Sequence, residues 1–269
     1  MKKNIIDYTL FITTDNEEKA SEISNLLNKY KMDNITTNII LTPNTGRDVY
    51  PWLCISDELS RYELIGHFHT KKSPHSHAFK GKSWTDELIA CLMSDIKSIA
   101  GVFAENDKIG VIIPDIPTLF KLNSGYDGII NENRVLCNSL WEKMFADKID
   151  FNFFDILTPI MSYGNMFWYR PKALRPLMSI KTDELNIPDE PLPNDGTVLH
   201  AIERLPVYVA WKQGYDYRVL LNKDRLLNGF DYAMFEFDRA EKLRLKALNS
   251  YGIVKRLRKK IMRRIRKIF

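Results

Sequence analysis

Hydrophobic and polar positions follow a strand-like, a helix-like and then a second strand-like pattern along the first 41 residues. The β-branched and aromatic run at 5–13 predicts a strand. Apolar residues at helical spacing predict an amphipathic helix over 16–30, and a second strand is predicted over 35–41. Because strand–helix–strand units cross over with a right hand, we expect these two strands to lie parallel.

The same alternation continues along the rest of the chain. Short apolar runs predict strands at 64–66, 109–113, 166–169 and 215–221. Helical spacing predicts helices over 49–59, 84–103, 133–145, 171–177 and 198–211. The acidic, proline-rich stretch 183–193 predicts a mobile surface loop. These elements together predict an α/β, Rossmann-like fold with a mostly parallel sheet flanked by helices.

The C-terminal segment has a different character. Residues 251–269 contain nine Lys or Arg and no Asp or Glu, with apolar residues at helical spacing at Val254, Leu257, Ile261, Ile265 and Ile268. This pattern predicts a cationic amphipathic helix suited to the interface of an anionic membrane. A nucleic-acid-binding arm and a partner-binding helix remain the alternatives. We therefore divide the chain into a domain at 1–229 and a helical tail at 230–269.

Charge and composition narrow the class of protein. The net charge is +5, and because the tail carries nine cations, the rest of the chain is mildly acidic. That argues against a body that binds nucleic acid, whose basic residues should cover one face. The three widely spaced cysteines show no zinc-binding spacing and are typical of thiols in a reducing compartment. Without a secretory leader pattern or a long apolar run, we expect a cytoplasmic protein.

A burst of polar residues follows the predicted strand at 64–66. It contains four of the five histidines, with lysines and a serine between them: His67, His69, Lys71, Lys72, Ser73, His75 and His77. In open α/β sheets, ligands bind where strands end at their carboxyl edge. The stretch is therefore either the floor of a site for an anionic ligand or a solvated basic loop.

A second polar loop follows the predicted strand at 35–41. Pro43 and Gly46 break the pattern, while Asn44, Arg47 and Asp48 supply polar groups. This loop is expected at the same sheet edge as Thr13 and Asp15. Arg47 is suited to bidentate binding of a phosphate, and Asp48 or Asp15 to accepting from a nucleobase imide or a ribose hydroxyl. The alternative is a turn with an internal Arg47–Asp48 pair.

Two later stretches also carry candidate chemistry. Gly164 permits a close approach of the backbone, and with Asn165 and Trp168 it is suited to contacting a sugar ring; the alternative is that these residues are core. Asp195 precedes the predicted helix at 198–211, so it either caps that helix or faces a cleft.

Several motifs together resemble the rhamnan synthesis protein F family. They are Asn44-Thr-Gly-Arg-Asp48, His67-Phe-His-Thr-Lys-Lys-Ser-Pro-His75, Ile109-Gly-Val, Gly164-Asn-Met-Phe-Trp168 and Asp195-Gly-Thr with His200-Ala-Ile-Glu-Arg204. The resemblance covers roughly residues 5–222. It implies a GT-A-like glycosyltransferase that uses a sugar nucleotide in the assembly of rhamnose-containing cell-wall and O-antigen polysaccharides.

The resemblance also implies roles for the candidate residues. The nucleoside end of the donor would be lined by Thr13, Asp15, Asn44, Gly46, Arg47 and Asp48. The diphosphate would be held by His67, His69, Lys71, Lys72, Ser73 and His75, with His69 also assigned to catalysis. Gly164, Asn165 and Trp168 would shape the acceptor side. Asp195 would be the general base of an inverting displacement.

The metal requirement is open at this point. In the GT-A plan an Asp-x-Asp holds a divalent cation on the diphosphate, whereas this chain has His67-Phe68-His69 at that position. Imidazoles can bind Mn²⁺, but Mg²⁺ prefers oxygen. The alternative, which we favour, is that His67, His69, Lys71 and Lys72 neutralise the diphosphate without a metal.

The implied partners are a nucleotide-sugar donor, deoxythymidine-diphosphate rhamnose or a similar one, and a polyprenyl-linked glycan acceptor. The tail would hold the enzyme on the inner face of the cell membrane, and no nucleic acid is expected. The competing hypothesis is a non-catalytic module that binds carbohydrate or nucleotide in a polysaccharide assembly complex. A metal-dependent hydrolase is a third hypothesis, although no HExxH-type spacing supports it.

Overall fold

The computed structural model describes residues 7–30, 33–70, 78–117, 120, 133–148, 160–189, 191–193 and 195–221. The predicted site residues Lys71, Lys72, Ser73 and His75 lie outside this part of the chain, as does the predicted tail at 230–269. Within the described residues, no helix has both the length and the apolar character needed to cross a membrane.

The chain begins with the predicted strand–helix–strand unit. Strand β1 (Tyr8–Thr14) and strand β2 (Ile35–Leu41) pair in parallel, connected by helix α1 (Glu17–Lys29). Asn16 caps α1, because its side chain accepts from the backbone N–H of Lys19 at 2.9 Å. This part of the prediction is confirmed.

A second sheet of four strands forms the centre of the described structure. Its members are β3 (Ile65–His67), β4 (Ile109–Pro114), β5 (Phe167–Tyr169) and β6 (Asp216–Leu220), in the order β3-β5-β4-β6. Strand β5 is antiparallel to both of its neighbours, whereas β4 and β6 are parallel. The α/β class is therefore confirmed, but the sheet is mixed because of β5.

The remaining helices are shorter than predicted in several places. They are α2 (Val49–Cys54), α3 (Ser56–Leu59), α4 (Ala78–Met93), α5 (Ile96–Glu105), α6 (Arg134–Phe145), α7 (Pro171–Met178), α8 (Val198–Arg204) and α9 (Pro206–Lys212). The single helix predicted over 84–103 is wrong. The chain breaks at Asp95, whose side chain caps α5 by accepting from the backbone N–H of Ser98 at 3.1 Å.

Two hydrophobic clusters cover the two faces of the four-stranded sheet. Residues alternate between the faces along β5: Phe167 and Tyr169 join the larger cluster, with α2, α7, α8 and α9. Trp168 points the other way, into the smaller cluster with Leu88 and Leu92. The segment predicted as a surface loop at 183–193 is attached to the larger cluster by the buried side chains of Leu185 and Leu192.

Candidate functional site

The loop after β2 has an unusual backbone. Gly46 has a φ of 63° and Arg47 a φ of 53°. A Cβ on Gly46 would lie 2.6 Å from Cβ of Tyr50, so the position requires glycine. Arg47 adopts the same left-handed region without that freedom, which is strain of the kind found at functional sites. The turn directs Arg47 outward and Asp48 inward, at the start of α2.

Asp48 is held by two different parts of the chain. Its Oδ2 accepts from Nδ2 of Asn165 at 2.6 Å and lies 3.8 Å from Nε2 of His69. Its side chain is 14% exposed. Burial opposes ionisation, but the Asn165 hydrogen bond and, at the acidic pH where Asp48 titrates, the attraction of His69 and His67 outweigh it and lower the pKa of Asp48 below its usual range. Asp48 is therefore an anion at neutral pH.

His67 ends β3 as an enclosed, neutral imidazole. Its ring stacks on Trp52 with 5.0 Å between ring centroids, and only 9% of the residue is exposed. Burial lowers the pKa of His67 to about 4, against the opposing attraction of Asp48. Its Nδ1 is buried without a hydrogen-bond partner.

His69 links the loop after β3 to the turn before β5. Its Nε2 lies 2.7 Å from the carbonyl oxygen of Gly164, so this nitrogen carries the hydrogen and donates it. Its Nδ1 lies 3.2 Å from the carbonyl oxygen of Thr70. The bond from Nε2 to Gly164 thus orients the ring.

The turn before β5 is fixed from several sides. Gly164 has a φ of 117° and Asn165 a φ of 54°. A Cβ on Gly164 would lie 3.0 Å from Leu88 and 3.1 Å from Nε1 of Trp84. The N–H of Gly164 donates to Oε1 of Glu203 on α8 at 3.1 Å. Gly164 thus connects His69 with α8 through its N–H and its carbonyl oxygen, while the adjacent Asn165 binds Asp48.

Asp195 lies in a buried ion pair before α8. Nη2 of Arg204 lies 3.0 Å from each of its carboxylate oxygens, and Nδ2 of Asn133 donates to Oδ1 at 2.8 Å. The side chains of Asp195 and Arg204 are 8% and 5% exposed. This geometry holds the carboxylate in place and gives both of its oxygens protein partners.

His200 connects this ion pair to Arg47. Its Nδ1 lies 3.8 Å from Oδ1 of Asp195 and 2.7 Å from Oγ1 of Thr197, and its Nε2 lies 3.5 Å from Nη1 of Arg47. Burial lowers the pKa of His200 to about 4; Asp195 opposes the shift, and Arg204 and Arg47 add to it. The imidazole is therefore neutral at pH 7 beside two guanidinium groups.

Three of the loops that contribute these residues contain backbone positions with positive φ. Positive φ values occur at Gly46, Arg47, Gly164, Asn165 and Gly196. The other described residues with positive φ, Ala146 and Gly214, follow the ends of helices α6 and α9, where that conformation is common. Strain concentrated in three converging loops is typical of a functional site.

We call this arrangement the polar cluster: Arg47, Asp48, His67, His69, Gly164, Asn165, Asp195, His200 and Glu203. The structure brings together the predicted loops headed by Arg47, His69 and Asp195. Gly46 shapes the same turn as Arg47.

Other predicted residues lie elsewhere. Trp168 does not line the acceptor side as predicted: the residue is 8% exposed and its indole N–H donates to the carbonyl oxygen of Leu92, so it packs in the core. Asp15 pairs with Lys19 at 2.6 Å at the start of α1. Thr13 lies in β1 opposite Ile40, and Asn44 is exposed in the turn.

The described residues do not contain a group of three or more His, Cys, Asp or Glu placed to hold a metal ion. The candidate ligands fit a divalent cation poorly. The His67 and His69 rings are 6.2 Å apart between centroids, Nε2 of His69 is bonded to Gly164, and Oδ2 of Asp48 is bonded to Asn165.

Four residues at the site, His200, Glu203, Arg204 and Asn133, carry no role predicted from the sequence. His200 and Glu203 are three residues apart, a spacing that puts both on one side of a helix, and this signal was available in the sequence. The sequence gives no signal for the contacts of Asp195 with Arg204 and Asn133, because only the folding of the chain brings these residues together.

Comparisons with known proteins show the family to which the chain belongs. Two curated relatives, both the uncharacterised protein WxcX of Xanthomonas campestris pv. campestris (strains B100 and ATCC 33913), are 29% identical over 165 residues. The alignment covers 60% of this chain but 22% of WxcX, so the chain spans only part of the length of these relatives. No solved structure matches. The family model for rhamnan synthesis protein F matches residues 1–215. The chain therefore belongs to the rhamnan synthesis protein F family, which associates it with polysaccharide synthesis.

Proposed function

We propose that this chain is a glycosyltransferase that moves rhamnose from a nucleotide-sugar donor to a growing, lipid-linked cell-surface polysaccharide. Family membership supports the pathway. The observation that carries the reaction is the convergence of three strained loops on one polar cluster, which contains an outward-facing arginine, a buried carboxylate and two oriented histidines. Such convergence of groups from separate loops is what a reaction site requires.

Arg47 is the proposed ligand of the donor diphosphate. Its side chain is exposed, and the contacts it makes to His200 and to the carbonyl oxygen of Pro193 are long, at 3.5 and 3.4 Å. A guanidinium donates two parallel hydrogen bonds to a phosphate, and it offsets the charge that develops as the diphosphate leaves. A neutral His200 is a weaker partner for the guanidinium than a phosphate anion, so its long contact leaves Arg47 able to bind the donor.

Asp48 and His69, on the donor side, and Asn165, on the acceptor side, form the proposed framework of the site. The short bond between Asn165 and Asp48 and the bond from His69 to Gly164 fix the relative position of the three loops. A site of this kind gains rate by holding reacting groups in place before the reaction. Trp168 has no part in this proposal.

The proposal includes a fold plan for the domain and a location for the enzyme in the cell. We propose a GT-A-like plan, because an α/β domain places these loops around a mixed sheet in which only β5 runs against its neighbours. We also propose that the basic stretch 251–269 attaches the enzyme to the anionic inner face of the cell membrane, where a polyprenyl-linked acceptor is available.

One observation favours a second candidate function. The carboxylate of Asp195, the base expected from the resemblance, is engaged by Arg204 and Asn133. A site without a mobile base could bind a nucleotide sugar or a glycan without transferring it. The second candidate is therefore a non-catalytic carbohydrate- or nucleotide-binding module of a polysaccharide assembly complex.

Titration calorimetry of the full chain against deoxythymidine-, uridine- and guanosine-diphosphate sugars tests the proposal. The same donors are then incubated with a prenyl-linked rhamnosyl acceptor, and the released nucleoside diphosphate is measured. We expect binding of one donor class and release that depends on the acceptor. Binding without release would favour the module, and failure to bind any donor would refute the transferase.

The matched variants are Arg47→Ala and Arg61→Ala. Arg61 is exposed and pairs with Glu58 within its own turn, so its loss should leave donor binding unchanged. Loss of a charge-assisted bidentate contact at Arg47 should weaken binding by roughly 10- to 100-fold. Equal affinities for the two variants would remove Arg47 from the donor site.

A further inference from the structure

Strand β6 forms one end of the four-stranded sheet. Within the part of the chain that the structure describes, it pairs with β4 and with no other strand. The backbone N–H of Asp216 and the carbonyl oxygen of Leu220 are both bonded on the β4 side. Because successive residues of a strand direct their N–H and C=O groups to opposite sides, those of Tyr217 and Val219 point to the open edge.

A side-chain contact shows where one of these backbone groups points. Nη1 of Arg218 donates to the carbonyl oxygen of Tyr217 at 2.8 Å, so this oxygen lies outside the ladder with β4. An edge with unpaired backbone groups is a template for a further strand, and charged side chains are a common way to limit such pairing. The edge of β6 therefore selects its partner strand by charge.

The two charges on this edge have opposite signs. Asp216 and Arg218 are both exposed, and neither side chain forms an ion pair with another described residue. Like charges placed directly opposite on paired strands are destabilising, and opposite charges are favourable. The edge is thus matched to a strand that presents the same two charges in the reverse order, which is what a second, antiparallel copy of β6 presents.

Apolar side chains are exposed beside the same edge. Tyr217 packs against Trp211 of α9, with 5.3 Å between ring centroids, on the side of the sheet that carries the larger cluster. Val219 lies on that side too, because it is in register with Ile113 of β4. Val219 is nevertheless 43% exposed and Trp211 is 40% exposed. A strand added at this edge would cover part of both side chains.

Charge also decides the register in which two copies fit. A two-fold axis through Tyr217, perpendicular to the sheet, places Asp216 of each copy opposite Arg218 of the other, and Tyr215 opposite Val219. Moving the axis by one residue places either Asp216 opposite Asp216 or Arg218 opposite Arg218. The axis through Tyr217 is therefore the favoured one.

We propose that this chain forms a symmetric dimer in which β6 pairs antiparallel with β6 of a second copy, giving a continuous eight-stranded sheet. The N–H of each Tyr217 donates to the carbonyl oxygen of the other, in place of the bond from Arg218. The guanidinium then pairs with Asp216 of the second copy, at a position where opposing Cα atoms are about 4.5 Å apart. The polar cluster adjoins β3, at the other end of the sheet, so this pairing does not cover it.

The test is the mass of the full chain in sedimentation velocity over a range of concentrations. We expect the wild type to change from monomer to dimer as the concentration rises. Arg218→Asp sets two carboxylates against each other at both ends of the pairing, and Asp216→Arg sets two guanidinium groups against each other. Each variant should raise the dissociation constant of the dimer by roughly 10-fold or more. Arg61→Asp makes the same change in charge as Arg218→Asp on an exposed turn and should dimerise like the wild type.

The exchange variant, Asp216→Arg with Arg218→Asp, restores opposite charges in the proposed register. Its dissociation constant should return to within about threefold of the wild-type value. This recovery separates the ion pairs from a general disruption of β6, which the melting temperatures of the single variants also report. A wild type that stays monomeric at every concentration would overturn the inference. So would single variants that dimerise like the wild type, or an exchange variant that stays as weak as they are.

Discussion

At the scale of single residues, the buried ion pair between Asp195 and Arg204 should contribute to the free energy of unfolding. Asp195→Asn keeps the shape of the side chain but leaves the guanidinium of Arg204 without its counter-charge in a buried position. Breaking a buried pair from one side costs about 3–5 kcal/mol. We expect a loss of that order in the free energy of unfolding, measured from denaturant titrations of the two proteins.

The control for this prediction is Asp147→Asn. Asp147 pairs with Lys212 at 2.7 Å, but both side chains are about half exposed, and such a surface pair contributes about 1 kcal/mol or less. A wild-type denaturation midpoint for Asp195→Asn, together with lost turnover and intact donor binding, would contradict the structural role and restore Asp195 as the base.

The neutral histidines predict how stability depends on pH. His67 and His200 have pKa values of about 4 in the folded chain, against an ordinary value of 6.5. The unfolded chain therefore binds more protons between these two values, and stability falls as the pH is lowered from about 6.5 toward 4. Each histidine contributes up to about 1.4 kcal/mol per pH unit within that window.

Urea titrations at several pH values measure this slope, with His67→Phe as the comparison. Phenylalanine keeps an aromatic ring against Trp52 without a titrating group, so the variant should lose about half of the slope. A slope in His67→Phe as steep as that of the wild type would show that His67 does not titrate in this window.

The sequence predicted which loops form the polar cluster better than it predicted the roles of the individual residues in that cluster. Polar loops at the ends of predicted strands identified Arg47, Asp48 and His69, and the fold brings them together. The role of Asp195 depends on Arg204 and Asn133, and the burial of Trp168 depends on Leu92. Contacts between residues so far apart in the chain have no local signal.

At the scale of elements, the turn before β5 predicts the cost of adding one methyl group. Gly164→Ala places a Cβ 3.0 Å from Leu88 and forces alanine to a φ of 117°. Strain of this kind costs roughly 1–3 kcal/mol. We expect a lower melting temperature and weaker donor binding, because Asn165 and Asp48 depend on the same turn.

Gly101→Ala is the matched control. Gly101 lies within α5, and a Cβ there meets nothing within 4 Å. Alanine favours a helix over glycine by about 1 kcal/mol, so this variant should be more stable than the wild type. A melting temperature for Gly164→Ala at or above that of wild type would show that the turn can relax.

The ends of helices and strands could be predicted where a cap or a turn residue marks them. They were missed where continuous apolar spacing runs across a cap. The continuous apolar spacing over 84–103 concealed the cap at Asp95, although aspartate followed by Ser98 is a recognisable helix start. The antiparallel direction of β5 had no local signal. The direction of β5 is set by its pairing with β3 and β4, and both of these strands are far from β5 in the sequence.

At the scale of the whole molecule, the two sheets differ in burial. No described residue from 7 to 41 is buried, whereas every residue of β4 is. Amide exchange follows the free energy of local opening, which is low where few apolar contacts hold a segment. We expect the amides of β1 and β2 to exchange well before those of β4, measured by hydrogen–deuterium exchange with mass spectrometry. Equal protection in the two sheets would contradict this.

The position of β5 has a consequence for biosynthesis. The strand lies between β3 and β4 but follows both in the chain, by about a hundred and about fifty residues. On the ribosome, β1, α1 and β2 can associate early, because they are adjacent in sequence. β3 and β4 wait with unpaired edges until Tyr169 has left the exit tunnel, and the four-stranded sheet is complete only after Leu220 of β6 has followed, so chaperones can bind the unpaired strands of the nascent chain during that interval.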